Sequence, residues 1–327
     1  MSHRQAVLLM VLVTLLWSMA GVVTRQVEQA QGLTLTFWRS AFNAAALALL
    51  LCWWRSPSQV WASLRSGGWA LWGSGICWAV MFTAFMWALT LTTVANVLVT
   101  MALGPLFTAW LARWFLGQRM AWPSVMAVML AGLGLIVMQL PALSAQLNGS
   151  AVLQGPAADL EGPARAASSA FRDHGAGLLL ALAVPMAGAV NWVLIRAGAD
   201  QTGSYRSVAP DFLVSVMVGA AMSALVSGLA SDPLNASGAD LGWLALLGVF
   251  QLAIPCLLAV MAARVLQPSE VSLLGLLEVV FGVAWVWIGT AERPEPSVVV
   301  GGLVVLVTLL AHEAWNARRH RQWAGYR

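Results

Sequence analysis

The sequence is dominated by long apolar segments that few charged residues interrupt. Segment 268–291 is one of them: about 20 helical residues span about 30 Å of hydrocarbon, and Glu278 lies near its middle. These segments are continuously apolar and do not alternate with polar residues, which excludes a β-barrel. Only 9% of the residues are charged, against about 25% in soluble globular proteins. The sequence therefore predicts an all-α integral membrane protein.

Ten transmembrane helices are predicted, in two groups of five. The region 141–174 between the groups is rich in Ala, Ser, Gly and Pro, and is predicted to be a flexible linker. The first group covers 1–140 and the second covers 175–315, followed by a basic tail at 316–327. The predicted spans are 5–24, 33–54, 68–90, 93–114, 121–140, 175–197, 209–230, 239–263, 268–291 and 296–315.

The two groups are related by an internal duplication. When the chain is shifted by 174 positions, 277–281 falls on 103–107 and 242–243 falls on 68–69 without a gap. Similarity at one fixed offset indicates a structural repeat. Because each copy has an odd number of spans, the second copy is expected to be inverted relative to the first. Inverted repeats are the architecture of many secondary transporters, which bind substrate near the midplane where the copies meet.

The distribution of arginine predicts the orientation, since cytoplasmic connections carry an excess of basic residues. The 17 basic residues are all arginines. With the N-terminus inside, twelve of them fall in cytoplasmic segments and four in outer segments. Both termini are therefore expected in the cytoplasm and the linker outside. The basic tail is expected to contact anionic lipid, and the net charge of +4 indicates membrane topology rather than nucleic-acid binding.

Several short motifs occur together in a combination that is typical of one protein family. The fourth span reads Leu-Gly-Pro-Leu-Phe over 103–107, followed by Leu-Gly-Gln-Arg over 116–119. The first span contains Leu-Leu-Trp-Ser at 15–18, and the second contains Phe-Trp-Arg-Ser at 37–40. This pattern resembles the EamA-like families of the drug/metabolite transporter superfamily. Their repeat typically reads leucine-glutamate-proline-valine-phenylalanine in this helix, then glycine-glutamate-arginine.

The family motif is divided between the two copies. The first keeps the proline, Pro105, but has Gly104 in place of the acid, whereas the second keeps Glu278 but has Val279 in place of the proline. The resemblance implies a ten-helix carrier of the inner membrane, often an exporter of amino acids or related metabolites. The expected partners are a small-molecule substrate, the lipid bilayer and, in a homodimer, a second copy of the chain.

Two charged residues lie well inside the predicted spans. An acid at the depth of Glu278 is costly unless it is paired, hydrated or protonated, so intramembrane acids are often functional. The alternative is a neutral acid that is hydrogen-bonded between helices. Arg39 lies at a depth that differs from that of Glu278 by about 6 Å, and it either pairs with Glu278 or extends to the outer headgroups. Asp211 is expected to be a solvated helix-start residue.

Polar side chains inside the spans are candidates for substrate contacts. Asn96 and Thr100 are four residues apart and share one face of the fourth span, which Pro105 is expected to bend. Gln251 in the eighth span and Asn191 in the sixth are amides that need partners at this depth. For these four polar side chains, the alternatives are a place in the wall of a substrate cavity and a hydrogen bond between helices.

Eighteen tryptophans are present, and most lie near span ends, as in an interfacial belt. Trp17, Trp78 and Trp192 are predicted to lie deeper. They either form an aromatic wall for an amphipathic organic substrate, with cation–π attraction for an amine, or face lipid. The three cysteines lie within apolar segments and are expected to be small buried side chains.

Motifs of enzymes are lacking. There is no phosphate-binding glycine loop and no His/Cys cluster with metal-ligand spacing, so neither a cofactor nor a metal site is predicted. The favoured function is secondary transport of small organic metabolites by alternating access. One alternative is a membrane enzyme acting on a lipid-linked substrate, which needs clustered acids or histidines at one membrane face. Another is a scaffold or sensor, whose interior would hold no polar cavity.

Overall fold

A computed structural model shows the chain as a bundle of helices. No β-strand occurs among the residues that the structure describes, in agreement with the predicted all-α class. The described part of the chain contains fifteen α-helices, numbered in chain order, and one π-helical segment. The described residues are 1–24, 26–92, 94–118, 121–147, 163–201, 211–233, 235–289 and 295–324.

The helices follow one another with short connections. The first eight are α1 (His3–Trp17), α2 (Ala20–Thr24), α3 (Gly32–Trp54), α4 (Pro57–Ser66), α5 (Gly68–Leu91), α6 (Val94–Met101), α7 (Gly104–Leu116) and α8 (Trp122–Leu147). The others are α9 (Pro163–Gln201), α10 (Phe212–Leu229), α11 (Gly238–Leu246), the π-helical segment (Leu247–Ala253), α12 (Ile254–Ala263), α13 (Pro268–Gly275), α14 (Leu277–Gly289) and α15 (Pro296–Ala324).

Seven helical segments of the described chain are long and apolar enough to cross a membrane. Two shorter apolar helices, Trp122–Met138 and Pro296–His312, coincide with the predicted fifth and tenth spans. The predicted fourth span is divided into α6 and α7, of 8 and 13 residues, each too short to cross alone. The seven segments are His3–Thr24, Gly32–Trp54, Gly68–Leu91, Gly175–Ala199, Phe212–Leu229, Gly238–Ala263 and Pro268–Trp285.

Helix α4 lies in a connection where the apolar pattern predicts no helix. Its start is fixed by a capping box, in which the Gln59 side chain accepts the backbone N–H of Ser56 at 3.4 Å, and by Pro57 in the first turn. Trp61 is 57% exposed, and the Arg65 guanidinium lies 5.0 Å from the centre of its ring. A short helix with this composition suits the membrane surface rather than the hydrocarbon.

Helices α8 and α9 extend into the region predicted as a linker. Because α8 continues to Leu147 and α9 begins at Pro163, both ends of 141–174 are helical. Alanine is frequent at both ends and has the highest intrinsic helix propensity, which the composition of the whole region obscures. Residues 148–162 lie outside the described part, and the domain boundaries at 140 and 175 stay predictions.

Helices α3 and α10, the second helix of each predicted copy, pack in opposite directions. Near the start of α3, the Thr34 hydroxyl donates to the carbonyl of Asp232, just beyond the end of α10, at 3.1 Å. At the other end of α3, Arg55 forms an ion pair with Asp211, which caps the start of α10. Since the start of each helix contacts the end of the other, the two helices are antiparallel.

The expectation that Asp211 is solvated is wrong, although the residue does begin a helix. Its carboxylate accepts the backbone N–H of Leu213 at 3.3 Å and also binds Arg55 and the Ser63 hydroxyl. These two partners lie 156 and 148 residues away along the chain. Tertiary packing brings the end of α3 and helix α4 to this cap, which local sequence does not reveal.

Both halves of the chain build one core. Helix α5 packs against α9 and α10, α1 packs against α12 and α14, α3 packs against the π-helical segment, and α8 packs against α15. In the interior, the Ser223 hydroxyl of α10 bonds to the hydroxyls of Ser40 at 3.0 Å and Thr83 at 2.8 Å. The largest apolar cluster runs from Ala6 to Leu309. The halves therefore interleave, and each buries the apolar surface of the other.

The buried carboxylate of Asp240 ties the two halves together at one end of the bundle. It accepts the backbone N–H groups of Glu28, Gln29 and Ala30, each at 3.0 Å, and that of Ser237 at 3.3 Å. Three of these donors belong to the connection between α2 and α3. Hydrogen bonds to an ionised acceptor are among the stronger ones, so one side chain fixes this connection against the start of α11.

We expect Asp240→Ala to lower the free energy of unfolding by about 2–5 kcal/mol, because several backbone N–H groups lose their acceptor at once. Unfolding of the purified protein in detergent would measure the change. Glu28→Gln is the matched control, since the Glu28 side chain is exposed and only its backbone takes part. Equal stability of Asp240→Ala and the wild type would contradict this role.

Helices α8 and α15 cross at a contact between two glycines. A Cβ atom at Gly134 would lie 2.8 Å from the carbonyl oxygen of Gly301 and 2.9 Å from a methyl group of Val305. A Cβ atom at Gly301 would in turn meet the carbonyl oxygen of Gly134. Small residues commonly allow such close approach of helices in membranes, so the crossing depends on both glycines.

Gly134→Ala is expected to destabilise the protein by about 1–3 kcal/mol, because the added methyl group overpacks the crossing. Gly132→Ala on the same helix should not, since a Cβ atom there meets nothing within 4 Å and alanine favours the helix. Thermal unfolding of both variants in one detergent makes the comparison. A shared unfolding temperature would show that the crossing tolerates a methyl group.

Candidate functional site

A cavity of about 180 Å³ lies where the two halves of the chain meet. Its wall is formed mainly by apolar and aromatic side chains, among which Met10, Met81 and Phe82 are examples. Arg39 and Glu278 also contribute to it, one from each half. An apolar concave site with a few polar groups is typical of pockets that bind small organic molecules.

The helices are interrupted around this cavity. Two interruptions have a local cause. After α1, the Ser18 hydroxyl donates to the carbonyl of Leu15 at 2.7 Å, a contact that bends helices. Between α6 and α7, Pro105 lacks a backbone N–H. The predicted bend near Pro105 is therefore present as a complete break. Residues 18–19 separate α1 from α2, residues 102–103 separate α6 from α7, and residue 276 separates α13 from α14.

Gln251 lies in the π-helical segment and bridges one of these interruptions. Its side-chain Nε2 donates to the carbonyl of Trp17, where α1 ends, at 3.2 Å. Pro255, four residues later, offers no N–H to the Gln251 carbonyl, which favours a local widening of the helix. The Oε1 atom of Gln251 is buried and has no hydrogen-bond partner among the described residues. It is therefore an acceptor that a ligand or water in the cavity would satisfy.

Arg39 is a buried cation in the cavity wall. The residue is only 3% exposed, and its Nε has no hydrogen-bond partner in the part of the chain that the structure describes. It also forms no ion pair with a residue of that part. Its position favours the cavity over the alternative of extension to the outer headgroups. A buried charge without a partner is strongly unfavourable, so this guanidinium needs a ligand or water.

Glu278 lies in the first turn of α14, where the helix dipole favours a negative charge. It is half-buried and lines the same cavity as Arg39. The two charges interact electrostatically, but no nitrogen of Arg39 lies within 4.0 Å of the carboxylate. The ion pair that the sequence left open as one alternative is therefore not formed, and both groups face the cavity.

Aromatic rings form much of the wall. Trp78 is 2% exposed; its ring stacks on that of Phe82 with centres 5.5 Å apart. It meets the ring of Trp192 edge-on, with centres 5.7 Å apart. The indole N–H of Trp78 is buried and finds no acceptor among the residues described. These rings, with Trp17, lie in the cavity wall rather than facing lipid.

The cavity brings together six of the nine predicted site residues. Asn191 lies outside the wall, because its side-chain oxygen accepts the Ser74 hydroxyl at 2.6 Å between two helices. Thr100 is half-buried and is not part of the wall. The side chain of Asn96 lies outside the described residues, so its substrate contact stays a prediction. The six are Trp17, Arg39, Trp78, Trp192, Gln251 and Glu278.

The wall has further members that the sequence does not predict as site residues. Ser272 adds a hydroxyl and Cys256 a thiol, while Gly104 leaves room: a Cβ atom there would lie 3.1 Å from the Ser272 hydroxyl. Ser272 precedes Glu278 by six residues, and Cys256 follows Gln251 by five. In a regular α-helix neither spacing places both residues on one face. The interruptions of the helices bring them together.

Gln251→Leu is expected to lower the free energy of unfolding by about 1–3 kcal/mol, because the Trp17 carbonyl loses its donor at a similar side-chain volume. Gln26→Leu, at an exposed position, is the matched control and should change stability little. Thermal unfolding in detergent distinguishes them. If both variants unfold like the wild type, the hydrogen bond across the interruption contributes nothing measurable.

Comparison with known proteins adds two findings. A family model described as the EamA-like transporter family matches residues 4–140 and again 175–311. A solved structure described only as a crystal structure of a protein superposes with a TM-score of 0.68 at 19% sequence identity, covering 97% of this chain and 100% of that one. This second likeness concerns the fold alone. No match was found among proteins of curated function.

Proposed function

Because the chain belongs to the EamA-like transporter family, whose model matches both of its halves, we propose that it is a secondary carrier that exports small organic metabolites. Amino acids or related compounds are the proposed substrates, and the bacterial inner membrane is the proposed location. The observation that carries this proposal is the shared cavity, whose wall contains Arg39 and Glu278 without an ion pair between them. A scaffold or sensor with a closed interior has no use for such a cavity.

In this proposal the multi-pass chain crosses the membrane ten times, as two inverted copies of five helices. The antiparallel packing of α3 and α10 supports the inversion, since each is the second helix of its copy. The broken helices α6/α7 and α13/α14 support it as well, because each pair is fourth in its copy and borders the cavity. Broken helices beside the substrate are characteristic of such carriers, and the copies would rock to expose the site alternately.

The proposed orientation has both termini in the cytoplasm and the region 141–174 outside, which the arginine distribution supports. Helix α4 and its Arg65 then lie at the cytoplasmic surface. The bilayer is the immediate environment of the carrier, and a homodimer is the proposed assembly. A gradient drives transport, or substrate moves by facilitated diffusion.

The substrate contacts follow from the cavity wall. Arg39, Glu278 and Gln251 are proposed to bind the polar groups of the substrate, and the aromatic rings of Trp17, Trp78 and Trp192 its apolar part. Asn96 and Thr100 are proposed to extend the site along α6. Asn191 is proposed to act from behind the wall, since it is hydrogen-bonded to Ser74 and adjoins Trp192 in the chain.

A metabolite-efflux screen tests the proposal directly. The medium of a strain that overproduces the protein is compared with that of a deletion strain, by untargeted mass spectrometry. A carrier is expected to raise the external level of a small set of organic metabolites in the first strain. The variant Trp78→Ala, which enlarges the cavity, should change that set or its level. Identical media from both strains and from the variant would contradict export.

Transport by Glu278→Gln is expected to fall by about tenfold or more and to lose its dependence on pH, because glutamine neither carries the charge nor exchanges a proton. Uptake into proteoliposomes of a metabolite found in the screen, at pH values on either side of neutrality, measures both effects. Glu28→Gln serves as the control because Glu28 is exposed. Wild-type transport by Glu278→Gln at every pH would reject the protonation role.

A further inference from the structure

Arg39 presents hydrogen-bond donors that no described residue accepts. The residue is 3% exposed, lines the cavity and has a buried, unpartnered Nε atom. Arg55, at the other end of α3, is by contrast paired with Asp211. In the described chain, Glu278 is the acid whose charge acts on the Arg39 guanidinium, and the uncharged thiol of Cys256 lines the same cavity. The cavity therefore holds a cation whose countercharge is nearby but not bound to it.

The chemistry of this cation selects its ligand. A guanidinium group is planar and matches the two oxygens of a carboxylate with two parallel hydrogen bonds. An amine would be repelled by it, and a neutral ligand would leave it without a directly bonded anion, since Glu278 does not pair with it. The indole N–H of Trp78, also without a partner among the described residues, adds a further hydrogen-bond donor to the same wall. Oε1 of Gln251 is an acceptor in this wall that also lacks a partner among the described residues.

We propose that the transported metabolite carries a carboxylate, and that this group binds the Arg39 guanidinium while the aromatic rings enclose the remainder of the molecule. This inference rests on the proposed carrier function and names the part of the substrate that the cavity recognises. It also assigns Arg39 a binding role that is separate from the role of Glu278.

A bound carboxylate brings a second negative charge into the cavity. It shares one cation with Glu278, so binding of the carboxylate and protonation of Glu278 favour each other. Helices α1, α2, α13 and α15 pack against α14, yet the charged or titratable groups that act on Glu278 within the described chain are Arg39 and Cys256. Affinity for a carboxylate without an amine therefore rises as the pH falls, by up to about tenfold per pH unit for one proton.

Matched probes test this recognition on the full-length protein in lipid nanodiscs. Indole-3-acetate, indole-3-acetamide and tryptamine share one ring system and present an anion, a neutral amide and a cation; phenylacetate and phenylacetamide form a second pair. Calorimetry and thermal stabilisation measure binding. The wild type is expected to prefer each carboxylate to its amide. Arg39→Gln should weaken carboxylate binding on the order of 30-fold or more and abolish the preference.

The control variants separate recognition from folding. Arg55→Gln changes an arginine at the end of the same helix but outside the cavity wall, and it should keep the preference. Arg39→Lys keeps the charge and should retain part of it. Should Arg39→Gln fold poorly, Arg39→Gln combined with Glu278→Gln removes both charges together and leaves neither buried alone. In Glu278→Gln, the preference for carboxylates should no longer depend on pH.

Two results would overturn the inference: amides or tryptamine binding as well as the carboxylates, or a carboxylate preference that survives Arg39→Gln. Absence of binding by every carboxylate probe counts against it too. The efflux screen tests the proposed carrier function independently of the binding experiments. Export restricted to amines or neutral metabolites would keep the carrier and reject the carboxylate site, whereas absence of export would contradict the carrier itself.

Discussion

A helix in hydrocarbon must satisfy its own backbone hydrogen bonds, and the arrangement of this protein follows from that requirement. Each described interruption, at 18–19, 102–103 and 276, borders the same cavity, as does the π-helical segment. Irregular backbone is tolerated there because protein groups or water can reach it. The bond from Gln251 to the Trp17 carbonyl shows how one freed acceptor is satisfied. The cavity is therefore one place where the bundle can hold polar groups away from lipid.

The two charges in the cavity follow a second constraint. Arg39 and Glu278 have opposite signs and interact electrostatically, so their charges cancel when Glu278 is ionised. They do not form a direct pair, which would use the hydrogen-bonding capacity of both groups and close the space between them. Separation leaves donors and acceptors directed at the interior, and the aromatic rings around them lower the local dielectric constant and so strengthen each polar contact. A small polar metabolite can complete such a wall.

The sequence predicts features that depend on the composition of one segment. It does not predict features that depend on the direction in which a side chain points around its helix. Long apolar segments locate the long helices, because length and low polarity are sufficient to predict a membrane-spanning helix. Helix α4 is not predicted, because its signal in the sequence is only a capping box within a connection. The sequence also predicts that Arg39 lies inside a long helix, where the structure has it. The sequence does not decide which way an amide points: Asn191 meets Ser74 across a helix pair, whereas the partner of Gln251 is a carbonyl 234 residues away. The family motif locates the repeat and its acid, but not the wall that the acid joins.

The link made by Asp240 has a consequence for a carrier built from duplicated halves. If the two copies were identical, exchanging their conformations would convert an inward-facing state of the carrier into an outward-facing state of equal energy. At the offset of the repeat, Asp240 corresponds to Ser66, which is exposed and bonds only to its own helix through the Ala62 carbonyl. The Asp240 carboxylate thus has no counterpart at Ser66, and in the proposed carrier this difference would make the energies of the inward-facing and outward-facing states unequal even before any substrate or gradient acts.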